Sequence, residues 1–181
     1  MLLDTSKTSL LIVDVQSRLL PAMVEPERIL ERASILLQAA EVLKIPVTVS
    51  EQYAKGLGHT VPELAKNFAT TFEKLSFSCW RDAALKSHFI TLHEGGRPLV
   101  IVAGIEAHVC VLQSCIDLAN AGFGVFAVAD AMSSRQSASA DLALHRLRGA
   151  GIQVVNTEMV IFELLEKAGT PEFKALSALI K

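Results

Sequence analysis

The chain has too few cysteines, and too irregularly placed, to be held by disulfides. Its 181 residues contain three, Cys79, Cys110 and Cys115, an odd number with no C-x-x-C pair. A reducing, cytoplasmic setting follows as the expectation. Long apolar runs are also missing: the longest stretch without a charge, Leu118 to Ala129, is 12 residues and includes two glycines. That is too short to span a bilayer. The opening residues carry Asp4 and Lys7, and Asp14 cuts the first apolar run, so neither a signal nor a transit peptide is legible. Excess charge of one sign is lacking, with a net charge of −2. Without a cluster of Lys and Arg interleaved with aromatics, nothing is offered to a phosphate backbone, and neither nucleic acid nor membrane is expected as a partner.

Nucleotide and metal signatures are equally scarce. Gly56-Leu57-Gly58 has no third glycine at the dinucleotide spacing, and no GxxxxGK[ST], GxSxG or HExxH occurs. The five histidines, His59, His88, His93, His108 and His145, form no ligand motif, so no metal and no cofactor are expected.

Hydrophobic content, by contrast, is high at 51%, with a mean hydropathy of +0.40. This amounts to a substantial core plus a self-association surface, so a homo-oligomer, a dimer or larger, is expected. Short β-branched runs recur at Leu10–Val13, Pro46–Val49, Pro98–Val102, Val125–Val128 and Ile152–Val155. They are continuous rather than alternating, the pattern of strands covered on both faces. Ile29, Leu30, Ala33, Leu36, Leu37, Ala40 and Leu43 recur at helical spacing between the first two, and His108–Ala121 and Ser137–Arg148 read as further helices. Alternating strands and helices imply an α/β protein: a single domain over 1–181, three layers α/β/α, around a doubly wound, mainly parallel, Rossmann-like sheet of order 3-2-1-4-5-6. The segment from Glu51 to Trp80 is broken by Gly56, Gly58 and Pro62. It reads as a substrate-facing loop, with a short strand at Glu73–Phe77.

In such a sheet ligands bind beyond the carboxyl ends of the strands, where the strand order reverses. Asp14 ends the first strand and Cys110 follows the fourth, so two residues 96 positions apart are expected in one crevice. A thiol at the start of a helix meets the positive end of the helix dipole, which favours thiolate and lowers its pKa below ~8.5. Each residue alone also has an ordinary reading: Cys110 as a core thiol, Asp14 as a cap, Lys74 as a surface lysine. Cys115 lies mid-helix and belongs to the core. His108, two residues from Cys110, cannot face it on a helix and is read as a cap or interface residue. Tyr53, Phe77 and Trp80 are read as lining a pocket for a small planar or apolar group, with core packing as the alternative.

Asp14-Val15-Gln16, Lys74 and Gly104-Ile105-Glu106-Ala107-His108-Val109-Cys110 resemble the three motifs of the isochorismatase-like cysteine hydrolases. The similarity runs from about Ser9 to Phe162. Ser50 to Gly58 is most similar to the isochorismatase domain-containing subgroup. The resemblance implies a metal-independent hydrolase of a small amide or related C–N bond, with Cys110 as nucleophile, Asp14 as general base and Lys74 as third member of a triad. It further implies a cis peptide between Ile105 and Glu106, an oxyanion site at the backbone N–H groups of Glu106 and Cys110, and a role for Gln16 in holding substrate or water. Nicotinamidases in this superfamily hold a metal through an Asp-x-His motif, which Ser50-Glu51-Gln52-Tyr53 lacks. True isochorismatases lack the cysteine, so Cys110 argues against vinyl-ether cleavage. Two other classes stay open: a scaffold that binds a metabolite without turnover, and a thiol redox sensor.

Overall fold

The computed structural model describes residues 1–65 and 70–180. Six strands, β1 (Thr8–Val13), β2 (Val47–Gln52), β3 (Thr70–Lys74), β4 (Leu99–Ile105), β5 (Gly124–Ser133) and β6 (Gln153–Val155), form one sheet. All neighbours are parallel, in the order β3-β2-β1-β4-β5-β6. The helices are α1 (Pro26–Val42), α2 (Ala54–Leu57), α3 (Ala83–Glu94), α4 (Leu112–Asn120), α5 (Ser137–Gly149), α6 (Thr157–Leu165) and α7 (Pro171–Ser177).

The continuous apolar runs are explained by two cores, one on each side of the sheet. Successive strand side chains point to opposite faces. On β1, Leu10 and Ile12 join one core while Leu11 and Val13 join the other, and on β4 Ile101 and Ala103 alternate in the same way with Val100 and Val102. The first core is closed by Ile29, Ala33, Leu36 and Leu37 of α1 with Val160 and Leu164 of α6. Leu85 and Phe89 of α3, Cys115 and Leu118 of α4, and Leu147 of α5 close the second. Neither face of the central strands needs polar residues. α7 lies outside, its Leu176 packed with Ile35 and Ala39 of α1 and Ile161 of α6. No helix among the described residues is long and apolar enough to cross a membrane.

The Glu51–Trp80 segment is more ordered than a loop. β2 runs on to Gln52, α2 follows, and β3 occupies Thr70–Lys74, so the short strand ends just where the sequence placed its beginning. Residues 66–69 of that segment lie outside the described residues. β3 is an edge strand, paired only with β2, and its exposed Thr71 and Glu73 obscured its apolar signal.

Candidate active site

The register of the sheet assembles the site. Val13 pairs with both Ser50 and Gly104, so the ends of β1, β2 and β4 lie side by side. Gly104 is required there: at its φ of +122°, a Cβ would stand 2.1 Å from the carbonyl oxygen of Val13. The chain then turns sharply, with Asp14 at φ +52°, and its backbone N–H donates to the Ser50 carbonyl (3.0 Å). On β2, Ser50 and Gln52 are two apart and share a face. Gln52 pairs in register with Lys74 of β3.

These residues form one buried polar cluster. Lys74 Nζ donates to Asp14 Oδ2 (2.8 Å), to Gln52 Oε1 (2.8 Å) and to the Phe77 carbonyl (3.2 Å), which uses all three ammonium hydrogens. Ser50 Oγ donates to Asp14 Oδ1 (2.7 Å). Both side chains of the Lys74–Asp14 pair are completely removed from solvent. Burial is the largest influence and opposes the Lys74 charge, but the Asp14 carboxylate, together with the nearby Cys79 and Cys110, more than offsets it and holds the ammonium above its ordinary value.

Cys110 lies in a single π-helical turn, Ala107–Val111, between β4 and α4. Its thiol is within hydrogen-bonding reach of the Asp14 carboxylate, so the acid and the thiol do meet. The helix start does not hold this thiol as a standing thiolate. Burial, and after it the negative charge of Asp14, push the Cys110 thiol well above its ordinary value, with Lys74 pulling the other way. At rest Cys110 is a thiol with a carboxylate beside it. Cys115 is fully buried in the second core, as its position in α4 suggested.

The peptide between Ile105 and Glu106 is cis. The Glu106 side chain turns to the neighbouring loop, where Oε2 accepts from both Nε (3.0 Å) and the backbone N–H (3.3 Å) of Arg135. His108 bonds the Ser134 hydroxyl through Nδ1 (2.8 Å), an anchor to the end of β5 rather than a base for Cys110.

The residues read as contacting substrate divide. Tyr53 borders a cleft of about 440 Å³ with Lys55, Glu73, Lys74, Leu75 and Arg81. Phe77 is 54% exposed, and its carbonyl, not its ring, is what the site uses. Trp80 is a correction: its ring packs edge-on to Phe123 at 5.8 Å beneath the Lys86 ammonium, in an aromatic cluster with Phe89 and His93. Gln16 is another, because both amide hydrogens are taken, by the carbonyls of Gln52 (3.0 Å) and Gly58 (2.5 Å), while Oε1 accepts from the Gln52 N–H (2.7 Å). It ties the α2 loop to the sheet. Ser50 and Gln52 were missed; polar residues at alternate positions of β2, with Thr48 on the same face, were the available signal.

The histidines also need correcting. Glu51, His59 and Glu73 bring three ligand atoms within 4.8 Å of one another, because an antiparallel bridge between Gln16 and Thr60 returns the α2 loop along β2. Glu51 projects from the face opposite Ser50 and Gln52. Its oxygens are already engaged by the Thr60 N–H (2.6 Å) and hydroxyl (2.7 Å) and by His59 Nδ1 (2.9 Å).

The chain is similar to known proteins over nearly its whole length. Isochorismatase domain-containing protein 2 of Danio rerio is 38% identical over 179 residues, covering 98% of this chain and 89% of that protein. The structure of MAR1 ribonuclease from Caenorhabditis elegans superposes with a TM-score of 0.92 at 33% identity, over 99% of this chain and 92% of that one. YcaC from Pseudomonas aeruginosa, solved with hexane-2,5-diol and covalent acrylamide, gives 0.90 at 25% identity over 98% and 91% of the two chains. The isochorismatase domain model matches residues 8–159. With that span and these relatives, the chain belongs to the isochorismatase domain family.

Proposed function

We propose that the protein is a metal-independent cysteine hydrolase of a small amide or related C–N bond, working through a thioester on Cys110. The observation that carries this is the buried Lys74–Asp14 pair set against the Cys110 thiol. Asp14 takes the thiol proton as Sγ attacks the carbonyl carbon. In water such a transfer, from a thiol to an aspartate, is uphill by about 6 kcal/mol. The neighbouring Lys74 ammonium offsets part of that by stabilising the thiolate. Backbone N–H groups of Glu106 and Cys110 would hold the developing oxyanion, each such donor contributing ~2.7–4 kcal/mol. The amine leaves with the proton from Asp14, and water deprotonated by the same carboxylate hydrolyses the thioester. Tyr53, at the cleft beside Lys74, is the substrate contact this reading keeps.

Covalent acrylamide in the Pseudomonas relative supports a reactive nucleophile on this fold, since acrylamide adds to thiolates at its carbon–carbon double bond. Free thiols throughout support a cytoplasmic setting. Exposed Met1, Leu2 and Phe162 around one hollow supply an apolar surface for a homo-oligomer, which sedimentation at micromolar concentration tests. The reaction itself is tested by incubating the protein with a panel of primary and N-substituted amides and reading intact mass. An adduct on Cys110, released by hydroxylamine and lost in Cys110→Ala, is the expected result. No adduct and no turnover across the panel would leave a metabolite-binding scaffold.

A second reading, RNA cleavage, has one observation in its favour: the Caenorhabditis elegans relative named a ribonuclease. The same preparation incubated with single-stranded RNA tests it. Cleavage that disappears in Cys110→Ala would favour it over the amidase.

A further inference from the structure

Asp14 is held by more than its lysine. Ser50 grips it twice, accepting from its backbone N–H (3.0 Å) and donating from Oγ to Oδ1 (2.7 Å). Ser50 is completely buried, and so is Cys79. The Cys79 backbone N–H donates to the Ser114 hydroxyl (2.9 Å). Cys79 is a buried thiol close to Ser50 that the proposed reaction does not use.

A hydroxyl has one proton and two lone pairs, and an ionised carboxylate only accepts. The single Ser50 proton therefore points to Asp14. We infer that Ser50 is a positioning residue for Asp14: its backbone carbonyl and its hydroxyl together hold the carboxylate in place beside Cys110. The inference rests on the proposed role of Asp14 as general base.

The groups facing Asp14 are few. Lys74 reaches it from β3, Ser50 from β2, Cys110 from the π-helical turn, and Cys79 stands behind Ser50 from the turn before α3. Lys74 is the only cation among them. The Asp14–Cys110 pair reacts when it holds one proton, and a second proton at low pH silences it. Ser50 opposes that second proton by donating to the carboxylate. Removing the hydroxyl lets the proton bind at higher pH.

The experiment is the rate of Cys110 alkylation by iodoacetamide against pH, read by peptide mass spectrometry, in the full-length chain. Wild type, Ser50→Ala, Ser50→Thr, Ser50→Cys, Cys79→Ala and Asp14→Asn are compared. In Ser50→Ala the acid limb is expected to move up by roughly one pH unit, the worth of one hydrogen bond to a charged group. Ser50→Thr, which keeps the hydroxyl, restores it, and Cys79→Ala, which leaves the Ser50 hydroxyl in place, keeps the wild-type limb. A packing defect alone would change the plateau rate and leave the limb in place. If Ser50→Ala keeps the wild-type limb while Asp14→Asn abolishes it, the inference is overturned and the base assignment stands. If Asp14→Asn also keeps the limb, the base assignment itself fails. Should Ser50→Ala not fold, Ser50→Cys, which exchanges the hydroxyl for a weaker donor, decides by the same limb: displaced upward, it supports the inference, and unmoved, it overturns it.

Discussion

Lys74 Nζ stands 2.8 Å from Asp14 Oδ2, and neither side chain has any contact with solvent. Two charges taken wholly out of water stay charged only because each satisfies the other, with Gln52, Ser50 and the Phe77 carbonyl completing the shell. Stability and chemistry share these atoms.

Substituting one partner of this pair is therefore costly. Lys74→Met leaves a buried carboxylate without its cation, which costs about 3–5 kcal/mol near neutral pH. Asp14→Asn added to Lys74→Met should cost much less than the two single losses combined, as a double-mutant cycle in urea measures. Additive losses would mean that the pair is not coupled.

Gly104→Ala tests how closely β1 and β4 approach. The new Cβ would meet Val13 oxygen at 2.1 Å and Val13 nitrogen at 2.7 Å, and the residue must keep a φ of +122° that side chains rarely adopt. Neither clash is with a side-chain end that can swing away. A loss of about 3 kcal/mol or more is expected in thermal or urea unfolding, together with loss of Cys110 reactivity. A variant as stable as wild type would contradict the register given for β1 and β4.

Alkaline stability follows from the thiols. Burial raises all three, Cys79, Cys110 and Cys115, above their ordinary values. A raised pKa means that the folded state keeps protons the unfolded chain releases, so stability is complete below ~8.5 and declines as pH rises beyond it. Lys74, also raised, adds to the decline above ~10.4. Each thiol contributes a slope of up to ~1.4 kcal/mol per pH unit. The urea midpoint should fall between pH 8 and 10, and Cys115→Ala, destabilising by its cavity, should nonetheless show a shallower fall.

The sheet was legible because β1 and β4 are buried on both sides, and residues with no exposed face leave an unbroken apolar run. β3 was misplaced for the opposite reason: an edge strand with Thr71 and Glu73 in solvent carries little apolar signal. α3 and α6 were not read, although Asp82 and Asn156 cap them with side-chain oxygens. Asp14 and Cys110 followed from topology, because strand order alone brings the ends of the first and fourth strands together. The state of the thiol did not, since it depends on how deeply the π-helical turn buries Sγ. Trp80 shows a further limit: its partner Phe123 is distant in sequence, and an aromatic residue near a site reads alike whether it faces the ligand or the core.

The most direct test of the central claim is the shape of the pH profile for iodoacetamide labelling of Cys110, in wild type and in Asp14→Asn. A thiol coupled to a carboxylate should label at a nearly constant rate from mildly acidic to neutral pH, faster than Cys79 or Cys115. In Asp14→Asn that plateau should give way to a rate rising tenfold per pH unit toward thiol ionisation. A wild-type rate that already rises tenfold per unit up to ~8.5 or beyond, and is unchanged by Asp14→Asn, would contradict the account.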